Sequence, residues 1–285
     1  MRGRGVTYGA VSSFIGKEGT EYIGMPNAGV TSVGSTLAPR GAKRLEDYFY
    51  LFMAVLITAV VVYGFSRTVE NKLFHPPQPR PFLLYVHAAV FFGWVLFFSV
   101  QSGLVRMRKV SWHRRIGWFG VSLAILMFVL GLSTAVTMAR FNKFNLHARH
   151  PEGNLLISFF DITAFTILFA LAIIWRRKPE FHRRLQLLSC SALTAAAFGR
   201  FVPFFLVPGT GHSRAVVTFA AWTALYAGVD ILILCAVARD LWLDRRIHPV
   251  YRYGLPAFAA CQIFVLYTLV NHSEWWTKTA SSILG

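Results

Sequence analysis

Apolar residues run along this chain in long, nearly unbroken blocks, and the polar residues between them gather into short connections. No block alternates with the period of two that marks a barrel strand, so each reads as a helix. A hydrocarbon core about 30 Å thick needs roughly 20 apolar residues per helix, because backbone groups in lipid must pair within their own segment. Seven blocks qualify, at 48–66, 82–105, 116–139, 155–175, 185–207, 215–238 and 255–271. The predicted fold is all-α, a polytopic membrane protein built as a seven-transmembrane-helix bundle.

Composition agrees: 55% of the residues are hydrophobic and only 14% charged, too apolar for a soluble domain of 285 residues. Residues 1–45, rich in Gly, Ser and Thr without a helical period, read as a flexible N-terminal tail, and 46–285 as the membrane domain. The first apolar block starts too far from Met1, and is too long, for a cleaved secretory signal. "HPPQPRP" at 75–81 and "VPGTGHSR" at 207–214 set extended turns on one side of the membrane.

The formal charge of +17 raises nucleic acid as a partner, but the cations are sorted by connection. Twenty of the 29 Lys and Arg fall on the N-terminal segment and alternate loops, eight on the opposite set, and Arg200 inside a helix. That is the positive-inside tendency. It predicts a bacterial inner membrane protein with a cytoplasmic N-terminus, in contact with lipid headgroups and not with nucleic acid. Cys190, Cys235 and Cys261 lie in apolar blocks without a Cys-x-x-Cys, so no disulfide framework is expected.

Two connections on the cation-rich side look alike, "RMRKVSWHRR" at 106–115 and "WRRKPEFHRR" at 175–184. As interfacial anchors, Arg114, Arg115, Arg183 and Arg184 would meet headgroups beside Trp112 and Phe181. The histidines exceed that need. His113 and His182 open the third and fifth helices on one side, so they can form an axial pair for a b-type haem, with Arg114 and Arg183 neutralising propionates.

Ionisable groups within the spans need a partner, a cavity or a function. Asp161 and Arg200 lie 19 and 20 residues either side of Glu180, which places them at one depth and suggests an ion pair. His87 lies at a similar depth, completing an expected His87, Asp161 and Arg200 cluster near the face opposite the His-Arg-Arg turns. It serves either as structural glue or as a ligand, quinone or proton site. Asp230 has no cation at its depth and reads as a hydrogen-bonded, neutral carboxyl. "HARH" at 147–150 supplies two histidines, with Glu152 near; two histidines are half a zinc site, so no metal centre is expected. No phosphate loop or nucleophile elbow is present.

The runs "YVHAAVFFGWVLFFSVQSGLVRMRKVSWHRRIGWFG" and "PEFHRRLQLLSCSALTAAAFGR" resemble a family of uncharacterised multi-helix bacterial membrane proteins with paired His-Arg turns. The shared pattern falls on His87, on His113 with Arg114, on His182 with Arg183, and on Arg200, within 48–201. More distantly, histidines on the second, third and fifth helices are similar to those of transmembrane diheme b-type cytochromes. The fourth helix offers Asp161 where that pattern has a histidine, which counts against a second haem. Two function classes follow: a redox-associated protein binding haem b or quinone, or a non-catalytic accessory or assembly subunit of a membrane complex. A transporter is disfavoured, since broken helices and midplane polar pairs are few.

Overall fold

A computed structural model describes residues 40–148, 150–201 and 214–285, with side chains over 48–148, 150–201 and 219–285. The expected tail lies outside the described residues as far as Pro39, as does the "VPGTGHSR" turn up to Ser213. The described residues form helices and no strand. The chain runs through α1 (Arg40–Ser66), a π-helical turn (Glu70–Phe74), α2 (Phe82–Arg106), α3 (Val110–Phe144) and α4 (Pro151–Ile174). It continues through α5 (Pro179–Ala192), α6 (Ala195–Phe198), α7 (Arg214–Leu225), α8 (Ala227–Leu243), α9 (Pro249–Val270) and α10 (Glu274–Leu284).

Five of these are long and apolar enough to cross a membrane: Tyr48–Ser66 of α1, then α2, α3, α4 and α9. Phe219–Leu225 and Ala227–Leu243 make a sixth if they count as one span bent by 65°. Exposed apolar side chains such as Phe52, Ile125, Ile167 and Ile263 cover their outer faces, as a lipid environment favours.

The fifth expected span departs most from the sequence pattern. Instead of one helix over 185–207, α5 stops at Ala192 and a four-residue helix follows a turn at Leu193 and Thr194. The sequence carries the reason: the hydroxyl of Thr194 donates to the Ser191 carbonyl at 2.6 Å, and that of Ser189 to Gln186 at 2.9 Å. Such bonds compete with the helical ladder. Small residues here, Ser189, Cys190, Ser191, Ala192, Ala195 and Ala197, are all buried, so neighbouring backbones come close. α5 is the axis of the bundle, packed against α4, α1, α8 and α9.

Around it, α1 to α4 pack as successive antiparallel neighbours. Trp94 of α2 stands edge-on to Phe165 and Phe169 of α4, at 5.2 and 5.3 Å between ring centres. α10, which the apolar blocks did not predict, is amphipathic. It lays Trp276, Ala280 and Leu284 on the ends of α3 and α4, where the Trp276 indole donates to the Glu152 carbonyl at 3.1 Å.

Candidate functional site

The two His-Arg-Arg turns meet. His113, on the first turn of α3, and His182, on the first turn of α5, bring their ring centres to 6.2 Å with planes at 77°. His182 Nδ1 donates to the Ala172 carbonyl at 2.8 Å, which fixes the proton on Nδ1 and leaves Nε2 as the uncommitted nitrogen. α3 and α5 both pack on α4 rather than along each other, so these rings face across a seam and not across a tight helix pair.

Around that seam polar atoms are buried without hydrogen-bond partners. They are His113 Nδ1 and both amide atoms of Gln101, whose backbone carbonyl neighbours His113; Arg106 Nε is unpartnered too, but its guanidinium lies 3.8 Å over the Tyr48 ring of α1. Buried polar groups are nearly always satisfied, so the unpartnered atoms of His113 and Gln101 stand out near the facing rings. Gln101 was not among the residues that sequence reasoning singled out. A lone glutamine in "SVQSGLV" was its only signal.

The arginines divide. Arg114 is exposed. Arg183 donates to Glu180 at 2.6 Å and stacks over the Tyr50 ring at 5.0 Å, so it is engaged within the protein. Arg184 overturns the headgroup-anchor reading, because it is 1% exposed and sits in a charge network that the sequence did not reveal. Its Nε and NH2 groups grip Asp240 at 2.9 and 2.7 Å, and NH2 also reaches Asp244 at 3.1 Å.

Arg239 donates to the same Asp240 at 2.9 Å and to Asp244 at 3.0 Å, while Arg184 also holds Glu180. Burial alone would raise the Glu180 carboxyl, but hydrogen bonds and charge from Arg184 and Arg183 outweigh it and hold it below the usual carboxylate range. His248, at the start of α9, is lowered by burial and then by the Arg184 charge; its Nδ1 accepts the Val250 N–H at 3.2 Å. The hint in the sequence was the Arg239-Asp240 pair following an apolar run. It reads as a loop edge until α8 places it beside α5.

At the other end of the bundle the expected trio forms only in part. Arg200 donates from Nε to the Thr68 hydroxyl at 3.0 Å and from Nη1 to the Ala196 carbonyl, with its guanidinium 4.0 Å above Phe65. His87 stacks on Phe91 at 4.0 Å and lies within electrostatic reach of Arg200. Asp161, buried, faces the Tyr226 hydroxyl instead. The expected Asp161–Arg200 ion pair is absent, because the break after Ala192 turns Arg200 toward α1 and out of the α4 face. Asp230 matches its reading as a hydrogen-bonded carboxyl, accepting from Trp222 Nε1 at 3.1 Å and Gln262 Nε2 at 3.0 Å.

No known family model, curated protein or solved structure matches the chain.

Proposed function

We propose that the chain is a seven-span protein of a bacterial inner membrane, N-terminus in the cytoplasm, that binds a redox cofactor at the seam between His113 and His182. The seventh span is the 185–207 region, whose described part holds the buried, serine-containing end of α5. The sorting of cations by connection supports the orientation.

The observation that carries the reading is the facing pair of imidazoles, with the unpartnered Gln101 amide on the neighbouring helix whose backbone carbonyl lies by His113. Were a haem iron held here, His113 and His182 would be the residues to ligate it, His182 through its uncommitted Nε2, and the iron would supply one-electron transfer. A quinone would use the same groups differently, taking hydrogen bonds from an imidazole N–H and the Gln101 amide to its two oxygens. Arg114 is the arginine open to a propionate or other anion; Arg183 is committed to Glu180.

The test is a reduced-minus-oxidised visible spectrum of the detergent-purified chain, with organic extraction for quinone. A b-type band lost in both His113→Ala and His182→Ala identifies haem; extracted quinone, reduced in Gln101→Leu, identifies the alternative. Neither signal in the wild type removes the reading. The accessory-subunit class is favoured by one observation, the buried Arg184–Asp240 pair, whose charge locks α5 to α8. It then requires that the chain co-purify with a partner.

A further inference from the structure

His150, Glu152 and His272 come from distant parts of the sequence and converge at the end of the bundle opposite the His113–His182 seam. His150 immediately precedes Pro151, the first residue of α4, and Glu152 lies in that helix's first turn. His272 sits in the turn between α9 and α10, with φ at 46°. The His150 and His272 rings are 4.9 Å apart, and His150 Nδ1 is 3.0 Å from Glu152 Oε1. One donor atom from each of the three residues lies within 4.8 Å of the other two. Ligands of a tetrahedral ion with bonds of about 2.0–2.2 Å stand roughly 3.4 Å apart, so side-chain rotations of about 1 Å close the set.

We propose that His150, Glu152 and His272 form a three-ligand site for a divalent transition metal, zinc in the first instance, with the fourth position open to solvent. Two imidazoles and one carboxylate are borderline donors that suit zinc and are a poor match for calcium or magnesium, which prefer all-oxygen shells. A shallow cleft lined by Glu274, Thr277 and Lys278 gives access to the open position. Glu274 is not needed, since it is exposed and pairs with Lys278 at 3.4 Å.

The protein holds the three residues in place without the ion. Buried Trp276 donates to the Glu152 backbone carbonyl at 3.1 Å, which pins the α9–α10 turn to the start of α4. Arg140 and Lys143 of α3 donate to the carbonyls of Ile283 and Gly285, each at 2.7 Å, and hold the far end of α10. Metal binding therefore adds a second clasp on α10. Sequence reasoning saw half of this site: "HARH" and Glu152 were visible, but His272 lies 120 positions further on than Glu152. Only the return of α9 brings it back.

The experiment is a zinc titration of the full-length, tag-free chain in detergent after chelator treatment. Bound metal is measured by elemental analysis after gel filtration, and protection of 274–285 by hydrogen exchange. The expected result is one zinc per chain, with greater protection of α10. His150→Asn and His272→Asn should each weaken binding at least about 100-fold, more than the loss typical of an outer-shell partner. Asparagine tolerates the positive φ at 272, so that variant keeps its fold. Glu152→Gln should weaken binding, and His147→Asn, which tolerates the positive φ at 147, should leave it unchanged. Substoichiometric zinc, zinc that survives both His150→Asn and His272→Asn, or zinc lost with His147→Asn overturns the assignment.

Discussion

Removing the Asp240 carboxylate should be among the most damaging single changes in the chain. Asp240 is fully buried and accepts from two guanidinia: Arg184, itself 1% exposed, at 2.9 and 2.7 Å, and Arg239 at 2.9 Å. Asp240→Ala strips a buried anion shared by two buried guanidinia and leaves them to the partly exposed Glu180 and Asp244, and breaking a buried pair in this way costs about 3–5 kcal/mol. For domains of this general size each kcal/mol moves the melting temperature by roughly 2–4 °C, so a loss of about 10 °C is expected.

Heating of such a protein ends in aggregation, so the readout is the temperature at which half the material leaves the monodisperse gel-filtration peak. The informative comparison is the double variant Arg184→Met with Asp240→Leu. It removes two of the three buried charges, while the third, Arg239, keeps Asp244 at 3.0 Å. Buried pairs replaced by apolar residues are often near neutral, so the double variant should lose less than half of what the single one loses. An Asp240→Ala protein within about 1 °C of wild type, or a double variant as fragile as the single, would refute the network as a lock between α5 and α8.

Three further outcomes are expected. Gly64→Ala places a methyl 2.6 Å from the Ala197 carbonyl and forces α1 away from α6, which should cost about 1–3 kcal/mol in the same heating assay. His248 is held neutral in the fold, so between its lowered pKa and about 6.5 the unfolded chain binds more protons than the folded one. Its contribution is complete above about pH 6.5 and is lost as pH falls below it; His248→Asn, which keeps a capping acceptor, should flatten the acid side of the stability profile. Glu180 has the carboxylate sign: its contribution is present above about pH 4.3 and is lost on further acidification, so Glu180→Gln should show less loss than wild type below that point.

Length and apolarity are properties of a contiguous segment, and so the sequence by itself determined the class of fold and where α1, α2, α3, α4 and α9 lie. The same holds for the meeting of His113 and His182, since two short connections on one side of a bundle have few places to go. Arg184 could not be read this way. In sequence it is one of two arginines in an interfacial turn, and only the packing of α8 against α5 decides that it is buried on Asp240 while Arg114 stays exposed. Asp161 and Arg200 share a depth along the chain, yet a depth argument assumes unbroken helices, and the serine and threonine hydroxyls of α5 break one.

His272, Gln101 and α10 belong with these cases. Contacts between residues far apart in the chain carry no local period or spacing, because they arise when separate hydrophobic faces are buried against one another. The sequence therefore set the solvent this protein folds in, and the tertiary structure decided which of its charges face each other.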